Sequence, residues 1–356
     1  MIHKSTKPLV ASEVTEKFPE LISKVHGLEA VTVKSLVHPH ESHPEGISFV
    51  KDERLLEKAY ETEKAILIVP AGKGPENIPD HIKTVMESPN AEYLMAEVIH
   101  NYFLETPYRT QAHGAGIHPT AVIHESAELG TGVQVGPGAT IGAHVKIGSD
   151  VFIGANTVIE SRTTIGDHST IHPLVYIGHS TEIGKYVEVQ PNTCIASEGF
   201  GYSHNHLGEH RRIPHIGKVV IEDYVQIGAA AAIDRATLDV THIGEGTRID
   251  NQCHIAHNVK VGKHCLITAQ FVCAGSAEIG DRFVCGGKTV VAGHKKVGNN
   301  VQAAALSVFS NHHDQPGQFG GYPIMPLNDF LRAKTVVPHL VEMRKNVKKL
   351  MKAVFE

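Results

Sequence analysis

What the chain lacks narrows its class first. It has no apolar run able to cross a bilayer: stretches such as residues 65–69 fall far short of the roughly 20 apolar residues a membrane helix needs. Residues 1–14 contain no continuous apolar segment of the secretory type, so no export signal is expected and a cytoplasmic location follows. An excess of positive charge is also missing. Lys and Arg number 33 against 38 Asp and Glu, a formal net charge of −5, so nothing draws the whole chain to nucleic acid and an electrostatic partner must be met by a local patch. Cysteine is scarce and odd in number, five in 356 residues, which disfavours a disulfide framework.

What is present is a period of six. Aliphatic residues recur at Ile117, Ile123, Leu129, Val135, Ile141, Ile147 and onward to Ile195, a spacing that neither a helix nor an ordinary strand produces. The next residue is usually small, as at Gly130, Gly136, Gly142 and Gly148, so each unit reads as a short strand followed by a tight corner. Three such units make one coil of a parallel β-helix, with the aliphatic side chains inside and neighbouring coils supplying the backbone hydrogen bonds. Cys273 and Cys285 fall in the interior slot, while Cys253 and Cys265 lie two residues before one, so reduced structural thiols are expected. Among the 26 histidines, His144, His168 and His264 sit three residues after an aliphatic, where a corner side chain meets solvent. His312-His313-Asp314 lacks further ligands at a usable spacing, and no metal is expected.

The repeat breaks twice. Residues 196–220 leave it, carrying Glu198-Gly199-Phe200-Gly201-Tyr202 and His204-Asn205-His206, and four extra residues enter around 237–240, after Asp234-Arg235-Ala236. Segments thrown out of a rigid solenoid are where binding residues concentrate.

Residues 1–112 have no six-residue period; strands are expected over 30–38, 46–51 and 65–70 and helices over 53–62 and 91–103, a small α/β domain. Thr106-Pro107 and His113-Gly114-Ala115-Gly116 read as the hinge into a β-helix over 113–310. A connection and C-terminal α-helices over 311–356 follow, the first helix at 327–336 ended by Pro338. Beyond it Leu340, Met343, Val347, Leu350 and Val354 form a seam that seeks a partner, and a trimer suits three prisms side by side. Seven Lys or Arg in the same tail, Lys345, Lys348 and Lys349 among them, suit either an acidic protein or a solvated helix face.

Chemistry is concentrated at 250–259, where His257 lies two residues beyond interior Ile255. His294, 37 residues later, falls near the same edge, roughly 10 Å along the axis at about 4.8 Å per coil. Two histidines along one groove suit acyl transfer, one taking a proton from an attacking amine and the other donating to the carbonyl oxygen. They equally suit two solvent-facing corner histidines. In 302–309, small residues precede larger ones, so Val308 or Phe309 is expected to close the end of a groove for an acyl chain.

The ordered set Ile47-Ser48-Phe49, the hexapeptides, Gly199-Phe200-Gly201-Tyr202, Ile233-Asp234-Arg235, Asp250-Asn251-Gln252-Cys253, Ile255-Ala256-His257-Asn258-Val259 and Gly293-His294 resembles the UDP-3-O-acylglucosamine N-acyltransferases of lipid A biosynthesis. The resemblance implies a left-handed β-helix, a homotrimer with active sites between prisms, and transfer of a 3-hydroxyacyl chain from acyl carrier protein to the 2-amine of a UDP-linked amino sugar, with no cofactor. It further implies His257 as general base, His294 as a substrate contact that holds the oxyanion, Phe49 as the aromatic that stacks on uracil, and Lys345, Lys348 and Lys349 as part of the carrier-protein dock. Two residues depart from the pattern: Leu55 replaces a tyrosine and Ala236 a glycine. A hexapeptide acyltransferase with another acceptor or a coenzyme A donor, and a non-catalytic β-helix scaffold, are the alternatives.

Overall fold

A computed structural model describes residues 3–103, 116–322 and 324–355. The chain divides into two compact units, Met1–Tyr108 and Arg109–Glu356. Of the expected hinge, Thr106, Pro107, His113, Gly114 and Ala115 lie outside the described residues.

In the first unit, β1 (His3–Val10), β2 (Lys24–Gly27), β3 (Thr32–Leu36), β4 (His43–Phe49), β5 (Lys64–Pro70) and β6 (Ile82–Ser88) form one sheet in the order β1-β3-β4-β5-β6-β2. The four central strands run parallel and the two edges antiparallel. The apolar run of β5 reflects burial on both faces: Ile66 and Ile68 pack with Leu94, Met95 and Val98 of the Ala91–Val98 helix, Leu67 and Val69 with Val50 and Ala59. The sequence pattern misses β6 because that strand buries Thr84, Glu87 and Ser88 and shows no apolar run. It also extends both helices too far, since 53–55 and 99–103 form a 3-10 turn and a π turn.

The second unit is a parallel β-helix. Each coil gives one short strand to each of three faces, whose sheets contain ten, nine and eleven strands among the described residues. On the first face Ile141, Ile159, Ile177 and Ile195 pair in register, and the column continues through Ile233, Ile255, Cys273, Val291 and Phe309. These side chains form one continuous interior core. All five cysteines are free, and Cys253, Cys265, Cys273 and Cys285 are buried in that core, where burial drives their thiol pKa values upward.

The corners work differently from the expectation. The glycine after the aliphatic is not the residue that turns; left-handed backbone falls two positions later, at His144, Asp150, Asn156, Arg162 and His168, with φ of 55–60°. The glycine is there because the coils touch: a Cβ on Gly130 would lie 2.6 Å from the Gly148 carbonyl carbon of the next coil. Small residues therefore record coil-to-coil contact and the turn is imposed on whatever side chain follows, at a modest strain.

At the far end, rings close the interior. Phe271 and Phe283 stand 6.1 Å apart, Phe283 and Phe309 5.9 Å, Phe309 and His313 5.8 Å, and His313 and Phe319 4.0 Å. Phe330 of the Leu327–Val336 helix covers the bare Cα of Gly320. The terminal helix, Leu340–Phe355, leaves Leu340, Met343, Val347, Leu350 and Val354 about half exposed or more.

Candidate active site

His257 and His294 leave the first face at the same edge, separated by one intervening coil. The link is Gly275: its neighbour Ser276 donates its N–H to the His257 carbonyl (2.9 Å), and the His294 N–H donates to the Gly275 carbonyl (3.0 Å). The imidazole of His257 lies over Gly275, where a Cβ would stand 2.6 Å from Nε2. Any side chain there would strike the ring. His294 occupies the left-handed corner position (φ 58°) and is exposed.

The hydrogen bonds select one tautomer of His257. Its Nδ1 lies 3.0 Å from Asn258 Oδ1, and that oxygen already accepts from the Thr237 N–H at 3.0 Å. The oxygen is thus an acceptor, Nδ1 carries the proton, and Nε2 presents a lone pair beside Gly275. Asn258 is itself held by its N–H donating to Thr241 Oγ1 (2.8 Å).

Both excursions of the chain close around this histidine. Ile195 pairs with Ile233, 38 residues later instead of the usual 18, so 20 residues leave the coil; four more leave between Ile233 and Ile255. Within the first excursion His215 is buried, its ring centre 4.9 Å from that of His257 at 67°. Burial, then the neighbouring His257, lowers the pKa of His215. Gly199 fits between the two: a Cβ there would lie 2.8 Å from both His215 Nε2 and His257 Cβ.

Asp234 and Arg235 brace the base of the excursions. Asp234 is buried, accepts from Ser197 Oγ at 3.0 Å and lies 3.7 Å from His254 Nε2; burial raises its carboxyl pKa. Arg235 is 2% exposed and donates to the carbonyls of Ala196 (3.1 Å), His179 (2.9 Å) and Gly217 (3.2 Å), and to His179 Nε2 at 2.7 Å. Ala196 and Gly217 are near the two ends of the first excursion, so one guanidinium clips both. Ala236 is fully buried, and its methyl fits because a Cβ on the facing Gly217 would come within 2.9 Å of it.

The other expected residues lie elsewhere. Phe49 ends β4, half-buried against the cluster that contains Leu94 and Met95, and Leu55 packs on the opposite cluster. Val308 is half-buried on the outer side of its strand, whereas Phe309 is fully buried in the ring stack. A side chain inside the prism cannot end a groove on its surface, so the expectation for Phe309 is corrected. Lys345, Lys348 and Lys349 are exposed on the terminal helix. Open grooves of about 480 and 510 Å3 run along the second and third faces, away from the edge that carries His257. Gly275 and His215 are the site residues the sequence pattern misses: the first stands in an ordinary repeat slot, the second in a segment without period.

Comparison with known proteins matches parts of the β-helix. The model described as bacterial transferase hexapeptide (six repeats) matches residues 241–270, and that of the GMPPB C-terminal domain matches 117–205. The UDP-3-O-acylglucosamine N-acyltransferase of Rhizobium meliloti is 45% identical over 150 residues, 42% of each chain. This chain is a hexapeptide-repeat relative of those enzymes. The corresponding protein of Wolinella succinogenes is 36% identical over 169 residues, 48% of this chain and 53% of that one. The chain thus spans about half the length of the curated relatives it matches. A solved UDP-N-acetylglucosamine acyltransferase from Campylobacter jejuni aligns with 67% of this chain and 90% of its own at 24% identity and a TM-score of 0.43.

Proposed function

We propose that this protein is an N-acyltransferase that moves a 3-hydroxyacyl chain from acyl carrier protein to the 2-amine of a UDP-3-O-acyl-glucosamine, in lipid A biosynthesis. The observation that carries the reading is the Nε2 lone pair of His257, free beside the bare Cα of Gly275, with His294 on the same edge beyond that intervening coil. In the reaction the amine attacks the thioester carbonyl, a C–N bond forms, and Nε2 takes the amine proton. His294, on the same edge, contacts the substrate and donates to the developing oxyanion. Collapse breaks the C–S bond, and the proton passes from His257 to the leaving thiolate. Direct attack of this kind needs deprotonation and carbonyl polarisation and uses no cofactor beyond the donor.

The rest of the assignment follows from surfaces the chain leaves open. Its apolar helical seam is uncovered, which supports a homotrimer with each site completed by a neighbouring prism. Lys345, Lys348 and Lys349 beside that seam supply the charge that meets an acidic carrier protein. Phe49 offers a half-buried ring for the uracil, and Val308 the outward side chain that limits the acyl chain. Among the described residues no helix is long and apolar enough to cross a membrane, and we place the reaction in the cytoplasm.

The test is mass spectrometry of products formed from UDP-3-O-acylglucosamine and a panel of acyl carrier protein and coenzyme A thioesters. The amide is expected with carrier-protein donors, at a preferred chain length. His257→Ala should lower kcat by about 10²–10⁴ and leave the melting temperature nearly unchanged. Equal turnover with coenzyme A thioesters would reassign the donor; equal turnover without His257 would remove it as base; no turnover with any donor would leave a binding scaffold.

A further inference from the structure

His215 is an odd residue to bury. Its Nδ1 lies 3.0 Å from the Ile213 carbonyl oxygen, which can only accept, so Nδ1 carries the proton and Nε2 a lone pair. That lone pair is enclosed and has no donor among the described residues. Buried polar atoms are almost always satisfied, and an exception invites a functional account. The enclosure is built with care for space: a Cβ on Gly199 would lie 2.8 Å from Nε2 and one on Gly201 2.8 Å from Cε1, so two glycines of the excursion wrap the ring. Among the described residues, the one ring it contacts is that of His257.

We propose that His215 is a positioning residue for His257, a neutral imidazole that fixes the plane of the base and keeps water from one side of it. The inference rests on the reading of His257 as general base. With its plane fixed between the His215 ring and the Asn258 bond, the imidazole of His257 keeps its Nε2 lone pair beside Gly275 instead of turning away from it. Neutrality of His215 is part of the device, since a second cation against the base would disrupt the contact; burial supplies it. The other charged and titratable groups facing this pair are Asp234 and His254 from the neighbouring strands and Arg212, which pairs with Glu198 across the excursion. None of these forms a ring contact with His257. The His215 Nδ1–H bond to Ile213 also anchors the turn that carries the imidazole, which a hydrocarbon ring could not do.

The experiment compares His215→Ala with His215→Phe. Two readouts are followed at one pH: steady-state kcat and KM, and the rate at which diethyl pyrocarbonate modifies His257, quantified by mass spectrometry of the peptide that contains it. In the alanine variant water replaces the ring. The rate of His257 modification should rise several-fold as that side of the imidazole opens, and kcat should fall about 10- to 100-fold at nearly constant KM. The phenylalanine variant keeps water out but loses the bond to the Ile213 carbonyl, so its modification rate should stay close to wild type while kcat falls less than in the alanine variant. The inference is overturned if the alanine variant folds and its His257 modification rate matches wild type, or if both variants raise that rate equally. The modification rate is measured without turnover. An inactive wild type, or a fully active His257→Ala, would therefore defeat the catalytic reading while leaving the His215–His257 coupling still tested.

Discussion

The uninterrupted coils before residue 196 and the coils around the two excursions use the same hexapeptide and solve opposite problems. In the regular coils the buried polar side chains include hydroxyls that bond within the stack: Thr157 Oγ1 donates to the His172 carbonyl at 2.9 Å and Ser169 Oγ to that of Gly184 at 2.9 Å. Around the excursions the chain buries a carboxylate, a guanidinium and an imidazole, at Asp234, Arg235 and His215. Burying ionisable groups is unfavourable unless partners repay it, and here the partners are the backbone carbonyls and side chains that hold the excursions in place. Regularity supplies stability and a rigid ruler; the interruptions convert that rigidity into a positioned imidazole at His257.

The sharpest way to break the comparison is a methyl group. Gly275→Ala should lower kcat by at least about 10²-fold, since its Cβ falls on His257 Nε2, while the melting temperature changes little because the new methyl meets the end of one side chain and no backbone. Gly148→Ala in a regular coil should do the reverse. Its Cβ meets Asp167 at 2.7 Å from the backbone nitrogen, so it should destabilise by about 1–3 kcal/mol and leave kcat per folded molecule intact. Thermal melting and steady-state kinetics on the two variants decide; similar outcomes would erase the distinction between the regions.

Arg235→Met should be next in size. It removes the donor to the Ala196, His179 and Gly217 carbonyls, and each buried acceptor left unpaired costs about 1–3 kcal/mol. Hydrogen exchange should accelerate across 197–217 with the coils at 140–177 unaffected, and kcat should fall roughly tenfold as His215 loses its support. Uniform acceleration over both regions would mean that the arginine serves the whole stack.

A smaller effect is expected from the tail, which belongs to neither region. Reversing Lys345, Lys348 and Lys349 to Glu should raise KM for the acyl carrier protein more than it lowers kcat, with a weaker dependence of KM on salt than wild type. An unchanged KM would return those lysines to a solvated helix face.

The smallest effect concerns Asp234. Burial raises its pKa in the folded state, so between the ordinary carboxylate value and the raised one the folded protein binds more protons than the unfolded, and stability falls as pH rises through that window. Asp234→Asn should therefore raise the melting temperature at neutral pH, with the gain vanishing below the ordinary carboxylate range. A gain independent of pH would assign the effect to packing.

Much of this was legible in the residues. The aliphatic residues from Ile141 to Ile195 recur every six positions because each must reach one interior from one of three faces, and that necessity is written locally at every turn. The two breaks in phase are equally visible, down to the four residues added before Ile255. His257 and His294 could be placed on one edge because a coil takes a constant number of residues. The direction of a side chain within the last coils was not legible: Phe309 looks like a groove residue and is an interior plug, because its slot is interior and only the stacked partners Phe283 and His313 reveal it. Nor does the sequence show that the coil-to-coil contact, and not the turn, demands the glycines. The contact of His215 with His257 joins residues 42 positions apart across a segment without period. Inside the repeat, sequence separation translates into space by simple counting. Outside it, the path of the excursion depends on Arg235, Gly199 and Gly217 meeting across the coils, and only the folded chain brings them together.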